Sequence, residues 1–149
     1  MHSTPSRVAC LVLCTVVFLV LSPMAGSNSL AAGDLTITVI DVGQGDSTLI
    51  QSPSGKTLLF DGGPNGRGES IILPFLATVG VDTLDYIVAS HYHSDHIGGL
   101  DEVLSVIPVR EAVLDRGWSY TTLTYNSYVN AAGSHRQTLT PGQVIDLGE

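Results

Sequence analysis

Three short segments of alternating character, separated by four-residue turns, leave residues 35–60 few ways to fold. LTITVIDV (35–42) alternates apolar and polar residues and is rich in β-branched side chains. STLIQS (47–52) and TLLF (57–60) follow, and GQGD (43–46) and PSGK (53–56) lie between them. Alternation at period two marks half-buried strands. Two short connections in succession predict an antiparallel meander.

The pattern then changes. ESIILPFLATVG (69–80) has helical length and stops at Gly80, while Pro74 predicts a late start or a bend. TLDYIVAS (83–90) reads as a strand. GLDEVLSVI (99–107) is amphipathic, with Leu100, Val103, Leu104 and Ile107 on one helical face, and Pro108 ends it. EAVLD (111–115) predicts a strand, TTLTYNSYVNAAG (121–133) a helix, and QVIDLG (143–148) a last strand. An antiparallel start followed by alternating helices and strands is an α/β layered pattern. No internal repeat or low-complexity linker interrupts it.

The N-terminus reads differently. Val8–Leu21 is an unbroken apolar run, preceded by Arg7 and followed by Pro23 and small residues. It is short for a membrane span, which needs ~20 residues. Ser29 and Ala31 fit the small-x-small pattern of a signal peptidase site. The expectation is a signal peptide over 1–31, cleaved after Ala31, and a secreted or periplasmic domain over 32–149 with no stable membrane association. An uncleaved anchor is the alternative. Both cysteines, Cys10 and Cys14, fall in that segment. The remainder therefore has no disulfide and no thiolate, and any metal must be held by nitrogen and oxygen. The net charge of −8 argues against broad, non-specific nucleic-acid binding, which relies on Lys and Arg neutralising phosphates.

Of the five histidines, three lie in ASHYHSDHIGG (89–99), at the junction of a strand and a helix. Extended backbone puts residues i and i+2 on one side, so His91 and His93 can grip one ion while Tyr92 points elsewhere. Asp95 and His96 follow where the chain turns, and can reach a neighbouring ion. Gly98 and Gly99 permit that turn. Imidazole and carboxylate both suit zinc, which takes about four ligands. Two ions ~3.5–4 Å apart can clamp the attacking and leaving oxygens of one substrate. The bland alternatives are a polar surface cluster or a single structural zinc.

HYHSDH matches the HxHxDH motif of the metallo-β-lactamase superfamily. Together with DVGQGDS (41–47), LLFDGGP (58–64), ILPFL (72–76) and LDYIVASHYHSDHIGGL (84–100), it resembles the metallo-hydrolase domain of ComEC-type competence proteins and their secreted relatives. The resemblance runs from about Leu35 to the end. It implies an αβ/βα four-layer sandwich of which this chain holds about the N-terminal half, truncated at its C-terminus. It assigns His91 and His93 to a first metal and Asp95 and His96 to a second. It implies two divalent ions, zinc in the first instance with manganese or iron as alternatives, and hydrolysis by a metal-bound hydroxide with Asp95 as the catalytic carboxylate. The family's remaining ligands fall past Glu149. The ComEC-like branch points to phosphodiesters, DNA among them. A lactam, lactone or thioester hydrolase of the same fold and a metal-binding module without turnover are the alternatives.

The resemblance also makes Asp61 a brace that orients ligating imidazoles, where the residues alone read as an Asp-Gly turn. Asp41 and Asp46 flank two glycines and read either as a hairpin turn or as a loop at the mouth of the site. His135, among polar neighbours, reads as a solvated loop residue. Trp118, Tyr120, Tyr125 and Tyr128 read either as a substrate wall or, for the helically spaced Tyr125 and Tyr128, as packing.

Overall fold

A computed structural model describes residues 34–148; the expected signal segment and its cleavage point lie outside them. Six strands form one sheet in chain order: β1 (Thr36–Val39), β2 (Thr48–Gln51), β3 (Thr57–Phe60), β4 (Leu84–Val88), β5 (Val109–Asp115) and β6 (Arg136–Thr138). The first three pair antiparallel, as the two turns predict. From β3 to β6 every pairing is parallel. Parallel neighbours need crossovers, and helices supply them. α1 (Leu73–Thr78) joins β3 to β4, α2 (Ser94–Ile97) and α3 (Leu100–Leu104) join β4 to β5, and α4 (Leu123–Ala132) joins β5 to β6.

All the helices lie on one face. Leu49, Leu59, Ile87 and Val113 point from the strands into a core shared with Ile72, Leu76, Leu100, Val103 and Tyr128. The α/β class expected from the sequence is the one observed, a sheet with a single helical layer. Leu100 and Val103 are fully buried, on the face predicted for their helix. The α-helix proper starts late, as Pro74 predicts: a π-helical turn over Gly68–Ile72 comes first, and α1 then carries the proline in its first turn, the position helices tolerate best.

The sheet's other face is partly open. Leu58, Val88, Ala112 and Leu114 lie there, covered by Leu139, Ile145 and Leu147. Ile37 and Val39 are exposed on the same face at the β1 edge, at 60% and 76%. The alternation in 35–42 thus points its strand apolar residues away from the helices; Ile40 and Val42, past the strand, turn into the core.

Residues 143–148 are not the strand their apolar alternation predicts. They cross the open sheet face as irregular chain, held by side chains: Ser52 and Ser54 donate to the Leu147 carbonyl (2.7 and 2.6 Å), and Lys56 to that of Asp146 (3.2 Å). The last strand is the polar RQT at 136–138. It pairs with β5 because Arg136 is anchored on Asp115, a tertiary contact that periodicity cannot register. Among the described residues no helix is long and apolar enough to cross a membrane.

Candidate metal centre

Parallel strands present their carboxyl ends along one edge of a sheet, where α/β folds build their sites. The segment after β3 brings Asp61 to that edge, the segment after β4 brings Ser90 to His96, and the segment after β5 brings Arg116 to Tyr120. β2 runs antiparallel, so its start brings the GQGD loop there too.

His91, Tyr92 and His93 continue β4 without ladder bonds, and His93, still extended, caps α2. Three imidazoles converge. The ring centroids of His91 and His93 are 4.6 Å apart, and those of His91 and His96 are 4.0 Å apart. Tyr92 points the other way and is buried, as the strand period requires. Asp95, on the first turn of α2, faces the GQGD loop, where the Gln44 amide approaches its carboxylate at 3.4 Å. Its own backbone N–H, then the Gln44 amide, hold the Asp95 carboxyl below the usual carboxylate range. Burial, and then the His96 and His93 rings, push the His91 imidazole down, toward the neutral form that ligates metals.

Asp61 organises these rings from behind. It is 1% exposed and is the only described non-glycine residue with positive φ, at +58°. Its carboxylate accepts from the Ser90 N–H (2.8 Å), from the Ser90 hydroxyl (2.6 Å) and from His96 Nδ1 (2.8 Å). Because the Ser90 hydroxyl donates its proton to Asp61, its oxygen is left to accept from His91 Nδ1 at 3.0 Å. The network thereby assigns the Nδ1–H tautomer to both His91 and His96. Their Nε2 lone pairs stay free, which is how a second set of partners prepares imidazoles for a metal.

Ligand atoms of Asp46, Asp61 and His96 lie within 4.8 Å of one another, a grouping that could hold an ion. The 2.8 Å between Asp61 and His96 Nδ1 is hydrogen-bond length, and Asp46 is 3.6 Å from the same nitrogen. We therefore read this grouping as the rear of the site and the Nε2 side as the metal-facing front. The donor set fits divalent ions: three imidazoles, two of them with Nδ1 engaged, a carboxylate and no thiolate.

Neither the Ser90 relay nor the contact of the GQGD loop with Asp95 is visible in the spacing of the ligands. Asp41 serves the turn, accepting from the Gly43 N–H at 3.0 Å. Gly45 has φ +94° and packs on the Asp95 backbone so closely that a methyl group would overlap the Asp95 carbonyl oxygen. The glycine is required by that approach as well as by the turn. His135 is exposed, on a single 3-10 turn after α4. Tyr125 and Tyr128 are core residues.

Removing the relay while keeping Asp61 isolates its contribution. Ser90→Ala is expected to lower zinc affinity roughly tenfold, with Ser90→Thr restoring it, in competition titrations against a chromogenic chelator. Equal affinity for all three proteins would show that the hydroxyl does not hold His91.

Residues 40–146 match the family described as the metallo-beta-lactamase superfamily. The chain is 30% identical over 124 residues to ComE operon protein 3 of Bacillus subtilis, covering 72% of this chain and 15% of that protein. It is 34% identical over 119 residues to Recombination protein 2 of Haemophilus influenzae, covering 73% and 15%. It is 41% identical over 70 residues to Competence protein ComA of Neisseria gonorrhoeae, covering 47% and 10%. The chain thus spans only a small part of the length of each of these relatives.

Proposed function

The chain belongs to the metallo-β-lactamase superfamily, in the branch of the ComEC-like competence proteins, and from that premise we propose that it is a dinuclear metal-dependent hydrolase of phosphodiesters, nucleic acid among them. The observation that carries the reading is the set of three converging imidazoles, two with Nδ1 engaged through Asp61 and Ser90. His91 and His93 would hold one ion, and Asp95 and His96 the other. Divalent ions there, zinc first among them, would supply Lewis acidity and a water of lowered pKa. The protein does the rest. Asp61 and Ser90 keep two imidazoles in the ligating tautomer. Asp95, ionised and held against the GQGD loop, would orient the attacking water. That the relatives are competence and recombination proteins supports nucleic acid as the substrate class.

The natural protein, assayed with zinc or manganese, is expected to release p-nitrophenol from bis-p-nitrophenyl phosphate and to lose that activity to a chelator. Turnover of nitrocefin instead would assign a lactam-type substrate. Bound metal with no turnover of either would assign a binding module.

A further inference from the structure

The segment after β5 combines a fixed backbone with exposed side chains. Asp115 accepts from the Gly117 N–H at 2.7 Å, and the Trp118 carbonyl accepts from the Tyr125 hydroxyl at 3.0 Å and from Arg136 at 3.5 Å. Gly117, at φ +75°, sits against the Thr138 side chain. The backbone of 115–118 is thus pinned from β5, α4 and β6, yet the Trp118 indole it presents is 69% exposed. Next to it, the Arg116 guanidinium lies 4.6 Å from the centre of the Tyr92 ring and 5.3 Å from that of Trp118. No carboxylate pairs with Arg116 among the described residues, whereas Arg110 and Arg136 each have one. The segment abuts the metal loop: the Tyr120 ring centre is 6.3 Å from that of His93 and 6.0 Å from that of Tyr92.

An exposed indole, a free planar cation beside it and a metal-binding loop alongside make a composite surface. We propose that Arg116 and Trp118 form a subsite for one nucleotide unit of the substrate, with the base stacked on Trp118 and a phosphate held by Arg116. This deepens the phosphodiesterase reading and rests on it for the identity of the ligand. The chemistry suits each part. Every base offers a π-face, so an indole takes bases without strong sequence preference. A guanidinium presents a planar fork of donors that matches phosphate oxygens. In a chain of net charge −8, one uncompensated arginine at the site gives a local attraction for a short anionic strand where the surface as a whole offers none.

Trp118 is the sole tryptophan of the 149-residue chain, so its fluorescence reports this subsite directly. The probe is thymidylyl-thymidine, with thymidine and inorganic phosphate as comparators, titrated without added metal. Saturable quenching by the dinucleotide, weaker quenching by thymidine and none by phosphate are expected. Arg116→Gln is expected to weaken dinucleotide binding about tenfold and leave thymidine unchanged. Both residues are exposed, so the change leaves the core untouched. In steady-state assays of dinucleotide cleavage by the natural protein, Trp118→Ala should raise KM with little change in kcat. No quenching by the dinucleotide, or indifference to Arg116→Gln, overturns the subsite. Quenching without any cleavage of phosphodiesters by the metal-loaded protein keeps the subsite and overturns the hydrolase reading instead.

Discussion

Asp61→Asn is expected to leave the fold standing and to lower zinc affinity by roughly two orders of magnitude, more than Ser90→Ala does. The change is nearly isosteric, and asparagine tolerates the left-handed backbone that Asp61 adopts. What changes is the count of acceptors. Three donors converge on this carboxylate, with the Ser90 N–H on Oδ1 and both the Ser90 hydroxyl and His96 on Oδ2. An amide keeps one acceptor oxygen and turns an NH2 group toward donors, so at least one buried partner loses its bond. With the NH2 on the Oδ2 side, His96 loses its direct brace and His91 its relay; with the oxygen there, the Ser90 N–H faces the NH2 group and the residue that carries the relay is displaced. Either way at least one ring is held less firmly with Nε2 toward the metal side. Asp61→Ala is the harsher change, because it also puts a Cβ residue with no local hydrogen bond into a positive-φ position. Circular dichroism of the Asn variant should match the parent, while chelator competition shows the loss. Parent-like zinc affinity in Asp61→Asn would mean that the imidazoles are held by the metal-loop backbone alone.

What the sequence disclosed about this site followed from local geometry. Period two along an extended strand put His91 and His93 on one side and Tyr92 on the other, and the structure keeps that division. The meander, the alternation of helices and strands and the buried face of Leu100 and Val103 were legible for a similar reason: each is written in short turns or in a repeat of two or 3.6 residues. The parts that were not legible depend on contacts between distant segments. Nothing in the composition of GQGD says that Gly45 touches Asp95, fifty residues on; a turn glycine and a contact glycine look alike in one sequence. Residues 143–148 have the alternation of a strand, but their apolar side chains cover a sheet face while their carbonyls bond to Ser52, Ser54 and Lys56. RQT at 136–138 has no strand character of its own and joins the sheet through one buried ion pair.

That pair is expected to make Arg136→Leu the most destabilising single change among the contacts described, by about 3–5 kcal/mol. Asp115 is fully buried at the end of β5, and Arg136 reaches it with Nε at 2.7 Å and Nη2 at 3.3 Å. Tyr128 donates to the same carboxylate at 3.0 Å, and burial, then the Asp115 charge, push the Tyr128 hydroxyl pKa up, so that hydroxyl remains a donor. Without the guanidinium the carboxylate keeps two neutral donors, the Tyr128 hydroxyl and the Gly117 N–H, and no opposite charge. An uncompensated charge in low dielectric costs far more than the pair contributes. Such a loss would remove roughly a fifth or more of the 5–15 kcal/mol typical of a folded domain. Arg136→Lys should lose less, because it keeps the charge but cannot span Asp115, Tyr92 and Tyr125 at once. Replacing both partners, Arg136→Met with Asp115→Leu, should recover much of the stability, since neither charge then needs solvation. The two effects separate at the site. Arg136 Nη2 also donates to the hydroxyl of Tyr92, which lies between His91 and His93 in the chain, at 3.2 Å, so the double variant should be stable yet bind metal less tightly. Denaturant midpoints for the three variants, with zinc titrations on the double variant, check both. A double variant no more stable than Arg136→Leu would mean that packing of the arginine stem, rather than its charge, holds β6 to β5.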